Sequence, residues 1–330
     1  MHRVDMARVQ RWPVADRTRN DRRAFCLRLL GLPSILALLP DPAGAVQVEH
    51  AMGRAQVPVR PERVITLFQG ATDISLALGV RPVATVDSWT EKPVYRYLRP
   101  QLGDVQSIGL ETQPSLEDIA LLQPDLIIGS KFRNERAFDL LSKIAPTILA
   151  QDVYSFESNT RLIGAALHRD AQAARLLAQL NKRVAALRIK LKQRFGPAWP
   201  LTVSVLDIRS DHIRLYLADS FAGALLSALG FAWTSQWREG SRSIIKLTSK
   251  ERIPVMDADV FFVLLRSDSA VVRNNYLAWS RHPLWQQLQA VKYGRVHHVN
   301  NVYWSLGGGI QSAFLMLNEL EAKMFGEQST

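Results

Sequence analysis

Apolar and polar positions follow two rhythms along this chain, and the switches between them outline alternating strands and helices. "RVITLF", Arg63 to Phe68, rises into a β-branched run and predicts a strand. "TDISLALGV" follows, with Ile74, Ala77 and Leu78 at helical spacing and Gly79 as its C-cap. "RPVATVD" predicts the next strand, ahead of a loop rich in Trp, Tyr and Pro, "SWTEKPVYRYLRP". A helix is expected from its N-cap at Ser115 to about Leu122, then a strand over Leu126–Gly129. "NERAFDLLSKIA" predicts a helix and "PTILA" a strand. From Leu201 the order returns: "LTVSVLDI" reads as a strand and "FAGALLSALGF" as a helix ending at Gly230. After the loop "TSQWREGSRS" come a second copy of the helix-and-strand segment that began at Ser115, a helix around "PLWQQLQAV" and the strand "RVHHV".

One sentence of this pattern occurs twice. "SLEDIALLQPDLIIGSKF" (from Ser115) and "SKERIPVMDADVFFVLLR" (from Ser249) align at an offset of about 134 positions. Glu117 falls on Glu251, Ile119 on Ile253, Leu121 on Val255 and Asp125 on Asp259. Strand–helix alternation with almost fully apolar strands predicts parallel sheets covered on both faces. The fold class is therefore α/β, with two similar lobes over residues 46–157 and 196–330. Between them, residues 158–195 contain no proline and one glycine, Gly164. Ala173, Leu177, Leu180, Val184, Leu187 and Leu191 recur there at three- and four-residue spacing. That spacing predicts a long amphipathic helix, broken near His168–Asp170, of about 25 residues or ~38 Å after the break. Such a helix holds two lobes nearly fixed and leaves a pre-formed cleft between them.

Residues 1–45 read as an export signal. A basic lead precedes an apolar run, Leu29 to Leu39, too short for the roughly 20 residues that span a bilayer. Ala43-Gly44-Ala45 is a small-x-small cleavage pattern, and "DRRAF" with Arg22 and Arg23 resembles a twin-arginine signal, an ordinary Sec signal being the alternative. The expected mature chain begins near Val46 and lies in the periplasm. Its only cysteine, Cys26, leaves with the signal, so neither a disulfide nor thiolate chemistry is expected. The whole chain carries 41 Lys/Arg and 30 Asp/Glu, net +11; without the signal 33 and 26 remain, net +7. These basic residues are dispersed among acidic ones, which disfavours nucleic acid as a partner.

Enzyme motifs do not stand out. The sequence has neither a G-x-S-x-G elbow nor an H-E-x-x-H pair, and "SLGGGIQS" lacks the lysine of a phosphate loop. His50, His168, His212, His282, His297 and His298 are scattered. The adjacent last two point to opposite faces of a strand, so a site for a bare metal ion is not expected.

The segments "HAMGRAQVPVRPERVITL", "ALGVRPVA", "LEDIALLQPDLII", "IAPTI" and "HPLWQQLQAVKYGRVHHVNNVYWSLGGG", with the long inter-lobe helix, resemble class III periplasmic substrate-binding proteins. This helical-backbone group receives ferric siderophores, ferric citrate, haem and cobalamin. The resemblance implies a monomeric receptor for a chelated Fe(III) complex, without intrinsic cofactor, that serves the permease of an ABC importer. It also implies an acidic residue at each lobe's apex for docking, and Glu117 and Glu251 stand at those places. Haem or cobalamin as ligand is the alternative, with Tyr154 or His212 as a possible axial ligand to haem iron. An exported redox enzyme acting on iron chelates is the remote alternative.

Ligands of such lobes lie beyond the carboxyl ends of the strands. From the first lobe those loops offer Phe68, Gln69, Trp89, Tyr95, Arg96, Lys131, Arg133 and Tyr154. The second lobe offers Arg209, Trp237, Arg242, Arg266, Tyr303 and Trp304. The set is cationic and aromatic. Guanidinium forks suit carboxylate, hydroxamate or catecholate oxygens already held by iron, and rings pack the ligand's carbon skeleton. Ferric citrate or a related carboxylate-type siderophore is the first expectation.

Overall fold

The computed structural model describes residues 44–234 and 243–326. The export signal, with Arg22, Arg23 and Cys26, lies outside them, as do Trp237 and Arg242. The described chain opens with a hairpin absent from the sequence reading, β1 (Ala45–His50) antiparallel to β2 (Gly53–Pro58). Only Val48 and Val57 are buried on it, a short alternation that the flanking polar residues obscure.

The first sheet contains β3 (Val64–Thr66), β4 (Ala84–Asp87), β5 (Gln106–Leu110), β6 (Gln113–Pro114), β7 (Leu126–Ser130) and β8 (Thr147–Ala150). Their order is β6-β5-β4-β3-β7-β8, parallel throughout except for the edge strand β6. The second sheet contains β9 (Val203–Ile208), β10 (Ile213–Tyr216), β11 (Ile244–Leu247), β12 (Val260–Leu265) and β13 (Val296–Val299). Its order is β11-β10-β9-β12-β13, and β9, β12 and β13 are parallel. The expectation of purely parallel sheets needs correction here, because β10 and β11 run antiparallel. A tight turn after β9 returns the chain directly along its own strand, which a parallel crossover could not do.

The repeated sentence has a structural basis. β3 pairs with β7 as β9 pairs with β12, Val64 opposite Leu126 and Val203 opposite Val260. The repeated aspartates pin those pairs at their entry. The Asp125 carboxylate accepts the backbone N–H of Glu62 at 2.6 Å and of Arg63 at 2.9 Å. Asp259 accepts the N–H and the hydroxyl of Thr202, both at 2.7 Å. The preceding serines cap the short helical segments, Ser115 accepting from the N–H of Asp118 and Ser249 from that of Glu251. The second copy is a 3₁₀ segment, Lys250–Met256, where the first is an α-turn, because Pro254 has no N–H to continue a ladder.

The long helix is present and broken where expected. Helix Phe156–Ala166 ends, His168 takes a left-handed φ of 52°, and helix Asp170–Phe195 runs for 26 residues. All six apolar positions read from the sequence are buried on it. Strand periodicity then divides each sheet. Ile65, Leu67 and Ile127 face a cluster private to the first lobe, and Leu206, Phe261 and Val263 one private to the second. The opposite faces, with Val64, Leu126 and Ile128, and Val203, Val260 and Phe262, enter one continuous cluster that also holds the long helix.

A polar tie crosses between lobes beside this cluster. Asp73, on helix Gln69–Ala77, is fully buried. Its carboxylate accepts the N–H groups of Gln311 at 2.8 Å and Ser312 at 2.9 Å, in the first turn of the final helix Ile310–Phe325. The hydroxyl of Tyr97 donates to it at 2.6 Å. A carboxylate at a helix N-terminus meets unpaired donors and the positive end of the dipole. Gly309 must be a glycine here, since a methyl at that position overlaps the Asp73 carboxyl.

Candidate ligand-binding site

The parallel strands of both lobes end on a common cavity of about 270 Å³. Each lining side chain follows from this topology. Phe68 and Gln69 leave β3, Trp89 follows β4, Glu111 follows β5, Arg133 follows β7 and Tyr154 follows β8. Arg209 follows β9, Arg266 follows β12, and Ser305 to Gly308 follow β13. Arg214 and Tyr216 reach the cavity from β10.

The walls are dominated by guanidinium groups held in different ways. On one side the Arg133 Nε donates to Glu111 Oε1 at 3.1 Å, and the Trp89 Nε1 donates to Glu111 Oε2 at 3.2 Å. On the other, the Arg209 Nε donates to Asp207 Oδ2 at 2.8 Å. The Tyr216 hydroxyl donates to the same oxygen at 3.2 Å and accepts from Ser305 Oγ at 2.9 Å. Arg214 Nε donates to His212 Nε2 at 3.3 Å, while the His212 Nδ1 meets Asp211 at 2.7 Å. Both nitrogens of that histidine are thus engaged, which leaves it no free donor for a haem iron.

Arg266 differs from Arg133 and Arg209. Among the described residues no carboxylate lies at ion-pair distance from it, and burial together with the nearby Arg209 pushes its guanidinium below the ordinary value. Its charge instead faces the indole of Trp89 at 5.9 Å, with Arg133 at 5.5 Å from the same ring. Trp89 itself is 41% exposed, a large aromatic surface open between two cations. An arrangement of this kind suits a ligand with anionic oxygens outside and carbon between them.

Of the residues expected from the sequence, Phe68, Gln69, Trp89, Arg133, Tyr154, Arg209 and Arg266 meet at the cavity. Trp237 and Arg242 lie outside the described residues, and the remaining ones are placed elsewhere. Tyr95 is completely buried behind the wall, and burial raises its phenol above the ordinary value. Arg96 is mostly exposed and pairs with Glu91 at 2.9 Å, beside a separate cavity that Ser267 and Asp268 also line. Lys131 pairs with Glu135 at 3.6 Å. Tyr303 packs edge-on against Tyr97 at 5.9 Å. Trp304 is a core residue, 1% exposed, its ring 4.5 Å from Phe262 and its Nε1 donating to Glu319 at 2.9 Å. A single π-turn over Val302–Leu306 rotates both aromatics inward and turns Ser305 and Leu306 toward the cavity.

Sequence reasoning missed Glu111, Arg214, Tyr216 and Ser305. The alternation in "IRLY" was the available signal for Arg214 and Tyr216, and the end of "QSIGLE" was the one for Glu111. Among the described residues no cluster of His, Cys, Asp and Glu is placed to hold a metal ion.

Two α/β lobes joined by a long helix, with a cationic cleft between strand ends, define a class III substrate-binding receptor. The periplasmic binding protein family matches residues 64–303, and the chain belongs to that family. It is 53% identical over 266 residues to the achromobactin-binding periplasmic protein of Dickeya dadantii (strain 3937), covering 81% of this chain and 87% of that one. A probable siderophore-binding lipoprotein of Bacillus subtilis (strain 168) is 38% identical over 283 residues, 83% of this chain and 86% of the relative. The crystal structure of Staphylococcus aureus SirA complexed with staphyloferrin B superposes with a TM-score of 0.82 at 40% identity. That match covers 84% of this chain and 98% of SirA. These relatives are binding proteins rather than enzymes, and their periplasmic or lipoprotein character marks this chain as exported.

Proposed function

We propose that this protein is a periplasmic receptor that captures a ferric chelate rich in carboxylate oxygens, ferric citrate or a related siderophore, and delivers it to an ABC importer. The carrying observation is Arg266, which has no carboxylate at ion-pair distance among the described residues, where burial and Arg209 outweigh the attraction of Asp207, and which faces an open tryptophan. Like charges held together in partial burial are costly until an anion joins them. The relative named for achromobactin and the structure solved with staphyloferrin B support a siderophore as cargo. A more distant relative, 27% identical over 279 residues, is the Fe(3+)-citrate-binding protein of Bacillus subtilis (strain 168), which supports a carboxylate chelate.

Tryptophan fluorescence tests this reading directly, because Trp89 stands inside the cleft. Ferric citrate is expected to quench the mature protein more strongly than a ferric hydroxamate, a ferric catecholate or haemin. The response is expected to shrink in Trp89→Phe. Strongest saturable quenching by haemin would replace this reading with a haem receptor.

Delivery is assigned to Glu117 and Glu251. Both are exposed, and each stands in the first turn of its capped segment. Neither is in an ion pair among the described residues, although Glu251 is hydrogen-bonded to the Ser249 hydroxyl. Paired carboxylates at matching points of two lobes suit arginines on a permease, where close charge pairs couple by about 1.5 kcal/mol or more. Replacing both by alanine is expected to leave the affinity for ferric citrate unchanged and to lower uptake into cells by roughly ten- to a hundredfold. Lost affinity in that variant would place the two glutamates in the cleft instead.

A further inference from the structure

Glu111 is the one carboxylate among the described residues that lines the arginine cavity, and nothing above explains why an acid belongs there. Its side chain is 6% exposed, and each oxygen is engaged by a single side-chain donor, Arg133 on one and Trp89 on the other. Those two donors are also the groups best placed to receive a ligand. An anion arriving at Arg133 and Arg266 is therefore carried up against a buried carboxylate of its own sign.

We propose that Glu111 is an internal counter-ion that neutralises Arg133 in the empty cleft and takes up a proton when an anionic chelate replaces it there. The proton passes from solvent to a Glu111 oxygen, which turns from acceptor into an O–H donor facing the ligand. This inference rests on the carboxylate-chelate reading above. Specificity follows from it. A weakly bound small anion does not displace the internal carboxylate, whereas a chelate that engages several arginines at once does.

The surroundings favour that exchange. The charged and titratable groups facing Glu111 are Arg133 beside it, Tyr95 buried behind it, and Arg266 across the shared indole. Glu91 reaches Tyr95 from farther off and is itself paired with Arg96. Burial already pushes the Glu111 carboxyl above its ordinary value, against the opposing pull of Arg133, Trp89 and the Gln69 backbone N–H. Sharing the Arg133 charge with a ligand weakens that opposition and adds a second anion, and both changes favour the protonated acid.

Calorimetry with ferric citrate near pH 7, in two buffers of unequal ionisation enthalpy, counts the protons. The wild type is expected to take up more protons per ligand than Glu111→Gln, and its affinity to rise as pH falls. The chelate's own titration is common to both proteins, so their difference isolates Glu111. Glu111→Gln, already neutral, is expected to bind about tenfold more tightly, a gain that a residue needed only to orient Arg133 does not give. Glu111→Asp keeps the charge and is expected to retain the proton uptake. Equal proton counts in wild type and Glu111→Gln, or weaker binding by Glu111→Gln, overturn the proposal. Ferric citrate binding to none of the three proteins overturns the carboxylate-chelate reading, and this inference falls with it.

Discussion

Replacing Arg266 by methionine is expected to weaken capture of ferric citrate roughly ten- to a hundredfold while leaving the melting temperature unchanged or higher. The two halves of that expectation have separate causes. A hydrogen bond to a charged group contributes about 1.5–3 kcal/mol, which sets the loss of affinity. Stability behaves differently because Arg266 has no carboxylate at ion-pair distance among the described residues, and burial with the repulsion of Arg209 outweighs the attraction of Asp207. Methionine keeps the apolar stem over Trp89 and removes a charge that the empty protein holds at a cost. Arg209→Met is the contrast. Asp207 is 1% exposed and would lose its cation, so that variant is expected to melt earlier. Quenching titrations and scanning calorimetry on both variants decide the matter. A fall in the melting temperature of Arg266→Met comparable to that of Arg209→Met would show that Arg266 serves the fold.

The second large effect concerns Asp73. Burial raises its carboxyl to about 6, opposed by hydrogen bonds from Tyr97, Gln311 and Ser312. The folded protein thus holds this proton more tightly than the unfolded chain, whose ordinary value is 3.8. The resulting stability is fully present below about pH 4 and is lost as pH rises through 6. Above that range the ionised group costs on the order of 3 kcal/mol. Asp73→Asn cannot ionise. It forfeits part of the tie at every pH, but relative to wild type it is expected to gain about 3 kcal/mol between pH 4 and pH 8. Urea unfolding of both proteins across that range checks it. A difference that stays constant with pH would mean that the helix terminus stabilises the carboxylate as fully as water does.

Much of the architecture was legible because it rests on periodicity. The six buried positions of the linking helix, its break before Asp170 and the duplicated segment are all patterns that one line of sequence displays. The cleft was partly legible for a topological reason. Residues just past parallel strands converge, so Phe68, Trp89, Arg133, Arg209 and Arg266 could be nominated from strand ends alone. Where local backbone geometry rotates a side chain, that rule fails. The π-turn at Val302–Leu306 sends Trp304 into the core, and no spacing in "NVYWSLGGG" announces it. Glu111 was illegible for another reason. A single loop glutamate carries no pattern, and its meaning comes from Arg133, which stands 22 positions away. The antiparallel pair β10–β11 was missed because its polar positions, Arg214 in "IRLY" and Lys246 in "IIKL", make it read as loop beside the almost fully apolar parallel strands.

The shared interior also bears on how the two halves depend on each other. A sentence written twice is the mark of two halves built on one plan, and the matched pairs β3–β7 and β9–β12 share its geometry. Yet neither copy is whole any longer. Each sheet keeps one private face and lends the other to a common cluster, in which Ile74 and Leu78 from one copy lie with Leu226 and Leu317 from the other. Leu180, Val184 and Leu187 of the joining helix fill the same interior, belonging to neither copy. Cut at that helix, each half would bare an oily face that it has no residues of its own to cover. Repetition in the letters thus goes with dependence in the fold, and the boundary visible in the sequence is not one along which the molecule divides.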